Sequence, residues 1–401
     1  MPFALYLLAM AVFAMGTSEF MLAGLVPDIA TDLGVELAGT GLLTSAFAIG
    51  MAVGAPVMAV LARNRPARSS LLVFVAVFLA AHIAGAVTTE FTVLVATRVI
   101  AALANAGFLA VALTAATGLV PADRRGRALA VLLSGTTVAT IAGVPGGALL
   151  GAVFGWRITF WAVALLCVPA AIGVLTGIPA RLRDAENGGP GLAAELAVLA
   201  RPRLMVVMLL GALVNAATFG AFTFLAPLVT ERSGLGDLWV PAALVLFGIG
   251  SFAGVTVAGR FSDTRPGVVV AVAGPLLCAG WFATAVSADR PAVLLVLVLV
   301  LVQGALSFAL GSTLITGVLY EAAAAPALGG SYATAALNIG AAVGPMVAAL
   351  ALGTRLGSLG PVVSSGALVA IALLVTSCGR AILRGRPSEP AARVVASISD
   401  G

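Results

Sequence analysis

The spacing of charges constrains this chain more than any other feature. Between Glu36 and Arg63 lie 26 residues without an acid or a base. Comparable gaps run Arg68–Glu90, Arg98–Asp123, Arg127–Arg157, Arg157–Arg181, Arg203–Glu231, Asp237–Arg260, Arg265–Asp289, Arg290–Glu321, Glu321–Arg355 and Arg355–Arg380. A bilayer-spanning helix needs about 20 apolar residues, so each of these eleven gaps has room for one. The stretch Ala4–Val26 is equally apolar except for Glu19 and makes a twelfth. It has no basic leading region and an acid interrupts it, so it reads as a membrane helix rather than a cleaved signal. Backbone in lipid must satisfy its own hydrogen bonds, so the expected fold is an all-α polytopic membrane protein.

Composition closes off the alternatives. The chain is 61% hydrophobic and 9% charged, against about 45–50% and about 25% in soluble proteins. A water-soluble fold cannot cover its surface with so few charges, which excludes an ordinary cytosolic enzyme, a disordered chain and a nucleic-acid binder. The net charge of +5 is spread over short loops and makes no nucleic-acid patch. Cys167, Cys278 and Cys378 each lie in an apolar run and are expected to be buried small hydrophobes. There is no phosphate-binding glycine loop, and no His/Glu or Cys cluster at ligand spacing. The expectation is therefore no cofactor, no metal and no enzyme.

Orientation follows from Arg, since all 21 basic residues are of that type. With twelve spans, alternate loops share a side. One side carries sixteen: Arg63, Arg65, Arg68, Arg124, Arg125, Arg127, Arg181, Arg183, Arg201, Arg203, Arg260, Arg265, Arg380, Arg384, Arg386 and Arg393. The other carries Arg157, Arg232, Arg290 and Arg355. Positive loops stay inside, so both termini are expected in the cytoplasm.

An internal repeat appears at an offset of 200 residues. It pairs Phe47 with Phe247, Gly50 with Gly250, Gly54 with Gly254 and Arg65 with Arg265. It also pairs Pro27 with Pro227, Phe108 with Phe308 and Pro145 with Pro345. Two six-helix halves follow, 1–178 and 204–384, joined by a polar linker over 179–203 and followed by a polar tail over 385–401. The linker reads as a flexible loop with a short surface helix over Leu192–Leu199. Two similar halves in one membrane chain suggest a carrier that rocks about a central cavity.

Two charges stand inside the spans. Glu19 lies 7 residues before Val26, and Arg98 lies 7 residues after Phe91, each about 10 Å below the same surface at 1.5 Å per residue. A charge at membrane depth costs about 2.5–3.5 kcal/mol even on insertion scales, so something must offset it. Either the two form a structural ion pair, or Glu19 carries a proton whose binding Arg98 governs. Asn105, Asn215, Gln303 and Asn338 fall 11–14 residues into the fourth, seventh, tenth and eleventh spans. Near the midplane they could bind a neutral polar ligand or hydrogen-bond between helices. His82, the only histidine, reads as a satisfied packing residue in the third span. Gly155-Trp156-Arg157 reads as an interfacial anchor, and Tyr320 and Glu321 as gate or loop residues.

Several stretches resemble the major facilitator superfamily, and within it the drug:proton antiporters, the chloramphenicol-resistance exporters most of all. They include Met1–Tyr6, Ala104–Val111 and Ser331–Asn338. Thr97-Arg98-Val99 with Asn105 and Gly107 resembles the fourth-helix motif whose Arg is linked to proton transfer, although Ala102 stands where that motif has Gly. Gly143-Val144-Pro145-Gly146-Gly147 resembles the exporter motif of the fifth helix, with Val144 in place of Gly. Gly254 with Arg260 and Asp263 resembles the loop signature that latches the halves. The resemblance implies proton-driven export of a neutral amphipathic drug by alternating access, through Glu19 and Arg98. It also implies a conformational role for Gly143, Pro145, Gly147, Gly254, Arg260, Asp263 and Pro345. A monomer in the bacterial inner membrane is the expected form, with the drug and protons as partners. Efflux of sugars, nucleosides or another metabolite on the same scaffold is the alternative, and a polytopic membrane enzyme a more distant one.

Overall fold

The structure, a computed structural model, describes residues 2–62, 65–121, 125–178, 192–232, 236, 239–259, 265–288, 293–325 and 328–378. Among the described residues all regular structure is helical. Twelve helices are long and apolar enough to cross a membrane. They are α1 Phe3–Gly24, α2 Leu37–Met58, α3 Ala67–Val87, α4 Phe91–Leu113, α5 Val131–Phe154 and α6 Trp156–Gly177 in the first half. The second half holds α7 Pro202–Thr223, α8 Trp239–Ala258, α9 Pro266–Ser287, α10 Val293–Glu321, α11 Gly329–Leu352 and α12 Gly357–Cys378. Their apolar cores overlap the charge-poor stretches, where a helix exchanges water for lipid without stranding a charge; α1 and α4 are the exceptions that carry Glu19 and Arg98 inside the span.

Small residues let the helices close up. In the first half, Gly50 and Gly54 of α2 face Ala102 and Ala106 of α4, and a Cβ at Gly50 would lie 2.6 Å from that of Ala102. In the second half, Gly250 and Gly254 of α8 press on the α10 backbone, where a Cβ would run into Leu301 O and Ala305 O respectively. Glycines paired by the 200-residue offset therefore do the same work in both halves. Gly254 belongs to a helix contact, whereas Arg260 and Asp263 lie outside the described residues.

Both halves break their first helix in the same region. The α-helical part of α1 ends at Phe20 and continues as a 3₁₀ turn, Met21–Gly24, before a short helix Val26–Asp32 that carries Pro27. After α7, Pro227 sits in a short helical turn that runs into a π turn, Leu228–Arg232. The fifth helix is also irregular. A π turn at Ala139–Gly143 precedes Pro145, which has no N–H to give a regular ladder. Gly155 alone joins α5 to α6 at φ +84°, a conformation that favours glycine.

The halves meet most visibly at the end that carries the α1–α2 connection. Ser45 Oγ of α2 donates to Ala342 O of α11 at 2.6 Å. A Cβ at Gly41 would lie 3.1 Å from the Phe224 ring and 3.2 Å from Pro345 O. Val26, Phe224 and Ala348 bury together there. The short helix expected over Leu192–Leu199 in the linker is present as Leu192–Val198. It docks on the second half. Its Glu195 Oε2 accepts from the Leu328 N–H at 2.8 Å, and Tyr332 Oη donates to Glu195 O at 2.9 Å. Of the cysteines, Cys167 is buried and Cys278 half-buried, but Cys378, expected in the interior, is exposed because it is the last residue of α12.

Candidate functional site

Arg98 is 1% exposed on α4 and is the largest fully buried side chain among the described residues. A buried cation is tolerated only when its donors are used. Nη1 donates to Ser18 Oγ at 2.9 Å and Nη2 to Ser18 O at 2.8 Å. The guanidinium also lies over the Phe47 ring of α2, 4.4 Å from its centroid. Its Nε has no hydrogen-bond partner among the described residues. Ser18 lies in the last α-helical turn of α1, whose final carbonyls lose their helical partners, so its carbonyl is available.

Glu19 is the next residue along α1 and is half-buried. Arg98 is near enough for the two charges to act on each other. The hydrogen bonds of Arg98 nevertheless go to Ser18 and not to the carboxylate. Glu19 and Arg98 are therefore close without forming a contact ion pair.

His82 is 1% exposed on α3 and belongs to the same network. Its Nδ1 lies 2.8 Å from Phe78 O and its Nε2 lies 2.7 Å from Ser18 Oγ. A carbonyl only accepts, so Nδ1 carries the proton and Nε2 accepts from the serine hydroxyl. The histidine is satisfied, as expected of a packing residue. That its partner would be the serine holding Arg98 was not visible in the chain, where Ser18, His82 and Arg98 are far apart.

The four amides divide. Asn105 on α4 is 6% exposed and makes no hydrogen bond among the described residues. Asn215 Nδ2 donates across to Leu337 O of α11 at 2.7 Å, and Asn338 Nδ2 donates to Thr334 O within α11 at 2.9 Å. Gln303 is 0% exposed and turned to α9, donating to Leu277 O at 3.2 Å. A Cβ at Gly280 would run into its Oε1. Gln303 is built into the α9–α10 contact, and Asn215 into the α7–α11 contact.

The glycines of α5 line its contacts with the first helix and with α6. Gly143 faces Thr17, Gly151 faces Leu25 just past the end of α1, and Gly147 lies closest to Thr159 of α6 at 3.0 Å, with Met21 at 3.8 Å. Gly146 faces open space. Pro145 is buried directly after the π turn. Pro345 is buried in α11, and its carbonyl borders Gly41 of the other half.

Between the halves lies a small pocket lined mainly by aromatic rings. Its walls are Phe20 of α1, Phe219 and Phe222 of α7, Phe247 of α8 and Phe308 of α10, with Thr140, Val144, Thr218, Gly248 and Ser251. The rings contact one another: Phe20 lies 5.5 Å from Phe219, and Phe222 lies 4.8 Å from Phe247. The expected ligand contacts were the amides, and these rings were not among them. The available signal was the repeat itself, which contains Phe247 and Phe308 and sets Phe219 opposite Glu19 at the offset of 200.

At the end of the bundle bearing the α1–α2 connection, Arg157 pairs with Asp32. Trp156 Nε1 donates to the same oxygen at 3.1 Å, and Arg157 Nη2 donates to Thr88 O at 3.0 Å. These hydrogen bonds, from Arg157 foremost, hold the Asp32 carboxyl below its ordinary value of 3.8. The expected anchor is therefore a clasp that ties three connections of the first half. At the opposite end Arg203 Nε lies 3.5 Å from Glu321 Oε1. Among the described residues no cluster of three or more His, Cys, Asp or Glu side chains could hold a metal ion.

Known proteins resemble this chain closely. The model of the Major Facilitator Superfamily matches residues 8–345. A chloramphenicol resistance protein of Streptomyces lividans is 70% identical over 384 residues, 96% of this chain and 97% of that protein. The inner membrane transport protein YdhP of Escherichia coli K12 is 32% identical over 93% of this chain and 95% of that one. Among solved structures, a bacterial homolog of the human lysosomal transporter Spinster superposes with a TM-score of 0.75 at 19% identity, covering 96% of this chain and 98% of that one. A D-xylose–proton symporter gives 0.75 at 15% identity, covering 93% and 97%. Twelve spans in two glycine-packed halves thus have their counterpart in sequence and in fold, and the chain belongs to the Major Facilitator Superfamily, as a multi-pass membrane transporter and not an enzyme.

Proposed function

We propose that this transporter exports chloramphenicol, or a closely related neutral amphipathic drug, in exchange for protons by alternating access. The observation that carries this reading is the placement of Glu19. It is a carboxylate in a membrane span, without a hydrogen bond among the described residues, in the field of a buried Arg98 and adjacent to Phe20 of the cavity wall. Such an acid can take up a proton when its surroundings open to one side and release it when they open to the other. The kinship with the Streptomyces lividans chloramphenicol resistance protein supports the choice of drug. The cavity supports it too. Five phenylalanines and few polar groups suit an aromatic, uncharged ligand better than a sugar or nucleoside. Asn105, free of protein hydrogen bonds among the described residues, is the amide best placed to reach a ligand, ahead of Asn215, Asn338 and Gln303.

In this reading the protein works as a monomer in the bacterial inner membrane, with the Arg-rich face and both termini in the cytoplasm. The linker then runs over 179–203 between halves 1–178 and 204–384, ahead of a tail over 385–401. The end closed by Ser45 and Ala342 faces outside. Gly143, Pro145, Gly147 and Pro345 serve the rocking, with Gly254, Arg260 and Asp263 at the inner latch. The test is drug-driven proton flux in vesicles reconstituted with purified protein. Chloramphenicol is expected to stimulate flux in the wild type and not in Glu19→Gln. Full drug-driven flux in that variant would remove Glu19 from the mechanism. Stimulation by a sugar or nucleoside in place of chloramphenicol would favour metabolite efflux.

A further inference from the structure

Arg98 sits beside Glu19 without touching its carboxylate, so something else decides where the guanidinium rests. Its two hydrogen bonds both end on Ser18. The Ser18 hydroxyl accepts one of them and must send its own proton elsewhere. The nearest acceptor is His82 Nε2, at 2.7 Å on α3. The acceptor role of that nitrogen is set in turn by Nδ1, whose proton is committed to Phe78 O at 2.8 Å. The imidazole cannot swing away, because its ring stacks on Phe78 at 4.2 Å and lies 5.9 Å from Phe160 of α6. Three helices are thereby joined in one directional chain, from Arg98 of α4 through Ser18 of α1 to His82 of α3.

We propose that His82 is a positioning residue of the proton-coupling machinery: by accepting the Ser18 hydroxyl it orients that serine to hold Arg98, and so sets the field that Arg98 exerts at Glu19. The proposal rests on the reading of Glu19 as the proton carrier. His82 acts here through its geometry, Nδ1 donating to Phe78 O and Nε2 accepting from Ser18, with Arg98 the charge that faces it. The other ionisable groups on the helices around it are spoken for or distant. On α6, Arg157 is held by Asp32 and the Cys167 thiol donates to Val163 O at 3.2 Å. On α3, Arg68 lies in the first turn, far from position 82, and on α1 the other ionisable side chain is Tyr6, near the opposite end of the helix.

The deciding experiment compares His82→Phe with His82→Gln in reconstituted vesicles, across a range of pH. Phe keeps a ring between Phe78 and Phe160 but has no acceptor. Gln offers Oε1 to Ser18. The expected result is that His82→Phe moves the pH of half-maximal drug-driven proton flux by more than about half a unit and that His82→Gln restores the wild-type value. An unmoved profile in His82→Phe, with only a lower yield or lower thermal stability, overturns the proposal and leaves His82 as packing. If His82→Phe does not accumulate in membranes, Ser18→Ala decides in its place on the same readout. Glu19→Gln run in parallel separates the two failures. Coupling retained there defeats the proton-carrier reading, whereas coupling lost there with an unmoved His82→Phe profile defeats only this inference.

Discussion

Arg98 and Ser18 are joined twice, guanidinium to hydroxyl at 2.9 Å and guanidinium to main-chain carbonyl at 2.8 Å. A planar fork can make two parallel bonds to neighbouring oxygens, and a single ammonium cannot keep both in the same geometry. Arg98→Lys is therefore expected to lose one charge-assisted bond and about 1.5–3 kcal/mol of stability. Thermal unfolding in detergent would measure this. A variant as stable as the wild type would mean that the double bond to α1 contributes nothing.

The contact between α5 and α1 makes a graded prediction. A methyl group at Gly143 collides with Thr17, whereas one at Gly146 meets nothing within 4 Å. Gly143→Ala should lower stability by about 1–3 kcal/mol, as overpacking does, and should reduce transport. Gly146→Ala should be neutral or slightly stabilising. Adding Thr17→Ala to Gly143→Ala should recover part of the loss, and a double-mutant cycle on unfolding midpoints reads the coupling.

The aromatic wall is expected to set drug affinity. Phe222 contacts Phe20, Phe219 and Phe247. Aromatic pairs are worth about 0.5–1.5 kcal/mol beyond their area, so Phe222→Ala should raise the half-saturating chloramphenicol concentration roughly 2- to 10-fold. Drug titration of proton flux checks this. Unchanged affinity would move the ligand away from this cavity.

The clasp at Asp32 carries a pH dependence of known sign. Its carboxyl is held below the ordinary value of 3.8 by Arg157 and Trp156. A carboxyl lowered by folding stabilises fully above its unfolded value, and the contribution fades as pH falls through the folded one. Asp32→Asn should therefore lower the unfolding midpoint by a constant amount between pH 5 and pH 8, and the gap to wild type should narrow below about pH 4. A gap that instead grows with acidity would contradict the assignment.

Much of the architecture was legible in the chain. The spans stand out because lipid tolerates neither charge nor unpaired backbone, and each of the twelve overlaps one of the apolar stretches, although α4 begins at Phe91, ahead of Arg98, and α1 contains Glu19. The repeat at 200 residues was legible because glycines that bring backbones together cannot be replaced without cost. Gly50 and Gly250 each bring their helix close to the fourth helix of its half, α4 and α10. The candidate site was legible only in part. Glu19 and Arg98 stood out as charges in oily segments, yet their relationship through Ser18 and His82 did not. The amides were grouped by depth alone, and the structure separates Asn105 from Gln303, which is locked against α9.

Sequence by itself thus determined which segments enter the membrane, that they form two similar halves, and which charges must be explained there. Tertiary structure alone decided which way each side chain turns. The physical reason is rotational. A helix with lipid on one side and apolar neighbours on the other is oily all round, so hydropathy fixes its depth and length but not its facing. Only packing against α1 and α3 turned Arg98 to Ser18 and His82, and only the meeting of the halves gathered Phe20, Phe219, Phe222, Phe247 and Phe308 around one cavity.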